Sequence, residues 1–153
     1  MSQKNSVRGA LLQQCVAWVN QKQATIKEAI NDLDDALESE TKSTAGDKHE
    51  TGRAMVQLEM EQLGNQLSEI ERLRQTLNKI NLDINSKSIG LGSVVKTSKH
   101  NYFISISAGE FNVDNVKYYA ISMQTPIGLL LVGKSEGCEV TFRDETFLIT
   151  TVM

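Results

Sequence analysis

Two long stretches in which apolar residues recur at three- and four-residue spacing constrain this chain more than any other feature. Leu12, Val16, Val19, Ile26, Ile30, Leu33 and Leu37 form the first stripe; Val56, Met60, Leu63, Leu67, Ile70, Leu77 and Ile80 form the second. Such a stripe is the seam of a helix that packs on another helix. Between them lies a short polar elbow, Gly46-Asp47-Lys48-His49-Glu50-Thr51-Gly52. The spacing therefore predicts an antiparallel hairpin, with one helix from about Val7 to about Thr41 and a second from about Asp47 to about Leu82. At ~1.5 Å per residue, arms of roughly 35 residues reach about 50 Å, against a mean of about 11–12 residues for globular helices. Gln23 and Arg74 fall on seam positions, where polar side chains fix the register of pairing. Two carboxylates, Asp47 and Glu50, are expected at the far end of this rod.

The chain changes character near residue 85. Before it there is no proline and the residues are rich in Gln, Glu, Lys, Leu and Ala; after it, β-branched and aromatic residues cluster between glycines. The stretch 85–92 reads as a linker. The expected organisation is α+β: an N-terminal antiparallel coiled-coil hairpin over residues 1–84, its acidic tip at 43–52, then a small β-rich domain with one short helix over 90–153. Val94–Thr97, Tyr102–Ile106 and Tyr118–Met123 are β-rich runs. The stretch 108–115 reads as a loop. In Thr125–Gly133, Thr125 suits an N-cap, Pro126 the first helical position and Gly133 the end, predicting a short apolar helix. Cys138–Phe142 and Thr146–Val152 are expected to form a terminal hairpin across Arg143-Asp144-Glu145.

The 153 residues carry a net charge of −3, so the basic footprint of a direct nucleic-acid binder is missing. No apolar run approaches the roughly 18–20 residues that cross a bilayer, and Gln13-Gln14 interrupts any apolar core of a signal peptide. No membrane partner and a cytoplasmic location are expected. Cys15 and Cys138 are too few for a disulfide scaffold. With His49 and His100 scattered as well, no zinc-ligand spacing exists.

Titratable groups converge only at the elbow. From Asp32 to Glu50 there are seven acids and two lysines. Asp32, Asp34, Asp35, Glu38 and Glu40 are expected on a solvated helix face. Asp47 and Glu50, three residues apart at a helix start, suit a capping box. They also suit two outward carboxylates that ligate a divalent cation, with the remaining ligands coming from a partner, since magnesium is usually held by one or two carboxylates plus water and phosphate oxygens.

The motif Gly46-Asp47-x-x-Glu50-Thr51-Gly52 at a hairpin tip resembles the Gly-Asp-x-x-Glu-Asn-Ala tip of the GreA/GreB family of bacterial transcript-cleavage factors. Thr125-Pro126-Ile127-Gly128 through Gly133-Lys134 and Gly137 to Val140 is similar to that family's Ser-Pro-Leu-Gly-x-Ala-Leu-Leu-Gly-Lys-x-x-Gly-Asp-x-Val. Gly92-Ser93-Val94-Val95 resembles the Gly-Ser-x-Val that opens its globular domain. The resemblance implies an FKBP-like second domain and a factor that binds RNA polymerase, the coiled coil entering the secondary channel. Asp47 and Glu50 would be donated to the polymerase active site, holding a second Mg2+ shared with the polymerase while backtracked nascent RNA is cleaved. Lys48 and Arg53 would contact RNA or polymerase; Ile127, Gly128 and Lys134 would dock the globular domain. No cofactor is expected on the isolated chain, which would be a monomer and not itself an enzyme. Thr51-Gly52 in place of Asn-Ala, and Cys138 in place of Asp, keep a second reading open: a channel-binding regulator without cleavage activity. The sequence shows no aromatic-lined pocket, so prolyl isomerase activity is not expected.

Overall fold

A computed structural model describes residues 7–41 and 46–153, with side chains described over 7–39 and 52–153. The chain is α+β: two long helices, α1 (Val7–Thr41) and α2 (Gly46–Asn78), precede a six-stranded sheet with one short helix. Two compact units are interleaved in sequence. One is Val19–Leu73; the other joins the residues up to Trp18 with Arg74–Met153.

The Val19–Leu73 unit is a helical hairpin. Ile26 shares a cleft with Ile70, and Leu33 shares the next with Leu63, so one arm rises as the other descends. Ile26 and Ile70 are buried, whereas Leu33, Leu37, Met60, Leu63 and Leu67 are half-buried. A pair of helices covers a seam from one side only, which leaves these residues partly in water.

The base of α1 follows a different stripe from the one the spacing predicts. Leu11, Cys15 and Val19 are fully buried, while Leu12 is half-buried and Val16 is exposed. The reason is the partner: here α1 covers a sheet, with Cys15 Sγ 3.6 Å from Ser105 Oγ, and the covered row is Leu11–Cys15, four residues apart. Near its C-terminus α2 tightens, as the amides of Lys79 and Ile80 bond to the carbonyls of Thr76 and Leu77 three residues back, the pattern of a 3₁₀ turn. The Asn81 side chain then accepts from the Asp83 amide at 2.9 Å, an Asx turn that competes with further helix.

In the second unit, β1 (Val94–Thr97), β2 (Asn101–Ser105), β3 (Gly109–Val113) and β4 (Val116–Ser122) precede α3 (Pro126–Leu131), β5 (Glu139–Phe142) and β6 (Glu145–Val152). The sheet order is β3-β4-β2-β1-β6-β5. β2 and β4 run parallel with Tyr102 opposite Tyr119, and the other neighbours are antiparallel. The stretch expected as a loop over 108–115 is thus strand β3 and its turn. Asp114 and Asn115 take φ of 52° and 65°, and Arg143 and Asp144 take 51° and 67°. Positive φ at both central residues is the type I′ geometry that matches strand twist in two-residue hairpins.

Four of the five β2 residues are buried, because both faces of the sheet are covered. On the α3 side, Val95, Tyr102, Ile104, Phe147 and Ile149 join Leu131 in one apolar cluster. Ile89, within the stretch that reads as a linker, belongs to this cluster and is 2% exposed. Its amide donates to the Lys134 carbonyl at 2.8 Å, and its carbonyl accepts from Gly133 N at 2.9 Å. The stretch is therefore stitched into the fold.

Arg8 fastens the base of α1 to the segment after α2. The side chain is 5% exposed as a residue. Its Nε donates to the Gly92 carbonyl at 3.0 Å, and Nη1 donates to the Ile84 carbonyl at 2.9 Å and Asn85 Oδ1 at 3.0 Å. Weaker bonds run to the carbonyls of Asn81 and Leu82 at 3.3 and 3.4 Å. Burial lowers the pKa of the guanidinium, and the planar fork lets one cation satisfy several oxygens at once.

Candidate functional site: the hairpin elbow and the α3 face

Gly46 opens α2, which puts Asp47 in its first turn and Glu50 at the start of its second. The side chains of Asp47, Lys48 and Glu50 lie outside the described residues. Arg53, the fourth residue expected at the elbow, is exposed. Asp32, Asp34, Asp35 and Glu38 are all exposed along α1, the solvated acidic face that the sequence predicts. Among the described residues no group of three or more His, Cys, Asp or Glu side chains is placed to hold a metal ion.

The three docking candidates occupy different environments. Gly128 is buried in the first turns of α3. Its amide donates to Thr125 Oγ1 at 3.1 Å, and Thr125 Oγ1 donates to the Ser122 carbonyl at 2.8 Å. A Cβ at this position would collide with that same carbonyl oxygen, so the close approach of α3 to the end of β4 requires glycine. Ile127 is half-buried against the apolar cluster. Lys134 is exposed, and its main chain joins α3 to the 85–92 stretch through Leu131 and Ile89.

The outer side of α3 carries Leu129 and Leu130, 66% and 38% exposed, and Val132 follows at the C-cap, 37% exposed. Singling out Ile127 and Gly128 missed this face. The signal was available: in Ile127-Gly128-Leu129-Leu130-Leu131 a helical period that turns Gly128 and Leu131 inward turns Leu129 and Leu130 outward.

His100, Tyr102 and Tyr119 form an aromatic cluster at the start of β2. The His100 ring stands edge-on to Tyr119, with centroids 5.5 Å apart, and Tyr102 lies 6.3 Å from Tyr119. Burial, with smaller contributions from Tyr119 and Glu145, raises the Tyr102 pKa. The two thiols diverge. Burial raises the pKa of Cys15 against a smaller opposing effect of Ser105. Hydrogen bonds from the Ser135 main chain and hydroxyl lower that of Cys138.

No helix among the described residues is long and apolar enough to cross a membrane. Set against known proteins, the chain matches no family model and no curated protein.

Proposed function

We propose that the chain is a Gre-like elongation factor that binds RNA polymerase through its secondary channel and stimulates cleavage of backtracked RNA by the polymerase active site. The observation that carries this reading is one of order. Two helices of 35 and 33 residues form a hairpin, with Gly46-Asp47-x-x-Glu50 opening the second, and a sheet with one short helix follows. The second unit is read as FKBP-like on the Thr125-Pro126-Ile127-Gly128 start of α3 and the sheet that it covers.

An α1 of this length spans about 52 Å at ~1.5 Å per residue, enough to carry an elbow to a reaction centre buried in another protein. Two-metal hydrolysis of a phosphodiester needs one ion to activate water and another to stabilise the leaving oxygen. In this reading the polymerase holds one Mg2+ and the carboxylates of Asp47 and Glu50 help retain the second. Lys48 and Arg53 lie beside the RNA, and the globular unit docks at the channel rim through α3 and Lys134. The factor acts as a cytoplasmic monomer and is not an enzyme by itself.

RNA cleavage in stalled, backtracked polymerase complexes with Mg2+ tests this. The wild-type chain is expected to stimulate cleavage, and Asp47→Asn/Glu50→Gln to abolish stimulation while polymerase binding persists. Binding without stimulation by the wild type would replace the reading with that of a channel-occupying regulator, which Thr51-Gly52 in the tip motif favours. No binding at all would remove both.

A further inference from the structure

We propose that the groove between the arms of the Val19–Leu73 hairpin is a docking site for a third helix, amphipathic and basic, supplied by a partner protein. This goes beyond the elongation-factor reading and does not rest on it. Two clefts open along one side of the hairpin and meet at Gln66, which lines both. Ile26 and Ile70 line the first, and Leu33 and Leu63 line the second. On each arm the two residues are one heptad apart. The clefts are therefore about 10.5 Å apart at ~1.5 Å per residue, the separation of side chains i and i+7 on a helix lying in the groove. With volumes of about 480 and 460 Å3, each has room for a large apolar side chain.

The wall of α2 that forms the groove continues toward the elbow. Glu59 and Gln62 line the second cleft, and one turn before them stand Met55 and Leu58, 62% and 57% exposed. These two residues lengthen the apolar wall of the groove by one helical turn. From Glu59 to Leu73 the groove runs about 21 Å, or about four helical turns.

Charge selects the class of occupant. Asp32 and Glu59 rim the second cleft, and Glu28 and Asp35 extend the Asp32 row of α1 by helical spacing. Beside the first cleft, Glu69 shares its charge with Arg72 at 3.0 Å, and Lys22 is the cation among the lining residues. The balance along the groove is acidic and greatest at the second cleft. A helix whose apolar stripe is flanked by Lys or Arg is attracted there, and one flanked by Glu is repelled.

The test uses the full chain with labelled Ile, Leu and Val methyl groups. The probes are two synthetic helices of about three heptads, with Leu on the apolar stripe and either Lys or Glu at the flanking positions. The Lys-flanked peptide is expected to shift the methyl signals of Ile26, Leu33, Leu63 and Ile70, and the Glu-flanked peptide to bind about tenfold more weakly or worse. The variant Asp32→Lys/Glu59→Lys changes two exposed side chains and should invert the preference. Equal binding of both peptides, shifts confined to the α3 face, a preference unmoved by the charge reversal, or no shift with either peptide would each overturn the proposal.

Discussion

Arg8 offers the sharpest test of the packing argument. Replacing it with Met keeps the stem and removes the guanidinium, stranding the carbonyls of Gly92 and Ile84 and the Asn85 side chain, all now within 3.0 Å of a donor. Hydrogen bonds to charged groups contribute about 1.5–3 kcal/mol each. The Gly92 bond is buried and loses its full value; the other two are half-buried, and water replaces part of each. The expected cost is about 3 kcal/mol in total, reduced by the desolvation that the buried cation no longer suffers. For a chain of this length that lowers Tm by about 6–12 °C. Arg8→Lys restores a charge but presents a compact ammonium instead of a fork, so it is expected to recover less than half of the loss. Thermal unfolding, with methyl signals of Val94, Ile104 and Leu131 reporting on the sheet unit, measures both. A Met variant within about 0.5 kcal/mol of the wild type, or a Lys variant equal to Arg, would refute the view that the fork holds the base of α1.

Gly128→Ala drives a Cβ into the Ser122 carbonyl and should cost about 1–3 kcal/mol by forcing α3 outward, visible in urea midpoints. Gly64→Ala should do the opposite: the residue is exposed within α2 with open space at its Cβ, and a gain of about 0.5–1 kcal/mol is expected from helix propensity. A colorimetric thiol reagent should modify Cys138 promptly and buried Cys15 only on unfolding; equal rates would contradict the burial of Cys15. Cys15 and Tyr102 both hold their protons more tightly folded than unfolded. The stability this contributes is complete below the unfolded values of about 8.5 and 10 and is lost as pH rises through the raised folded values. Urea midpoints should fall above about pH 8.5, and Cys15→Ala should flatten the first part of that fall.

The long elements were legible because their signals are redundant. The expected bounds of α1 coincide with Val7–Thr41, since a 3.6-residue period over many turns tolerates errors at single positions. Thr125, Pro126 and Gly133 fixed α3 through cap chemistry that acts locally. What escaped depends on partners distant in sequence. β3 is an edge strand in which only Phe111 and Val113 turn inward, too few apolar residues for an alternating pattern. The remaining clue was the Asp114-Asn115 pair between Val113 and Val116. Ile89 follows four polar residues and is tied into the core by main-chain bonds to Gly133 and Lys134. The switch at the base of α1 from Leu12 and Val16 to Leu11 and Cys15 has the same origin, because periodicity reports that a helix has an apolar face without reporting what the face meets. For the elbow, spacing placed Asp47 and Glu50 at the start of α2, while capping and metal binding ask for the same residues.

The interleaving of the two units bears on how the molecule comes into being. The guanidinium at Arg8 meets its Gly92 partner 84 residues later in the chain. At the usual pace of synthesis, about 5–20 residues per second, that partner leaves the ribosome roughly 4–17 seconds after Arg8 does. During this interval the hairpin, which needs no residue beyond Leu73, can close, while Leu11 and Cys15 wait uncovered for a sheet not yet made. A nascent chain of this kind is most vulnerable at its oldest residues, and a chaperone that shields the first turns of α1 would protect it during that interval.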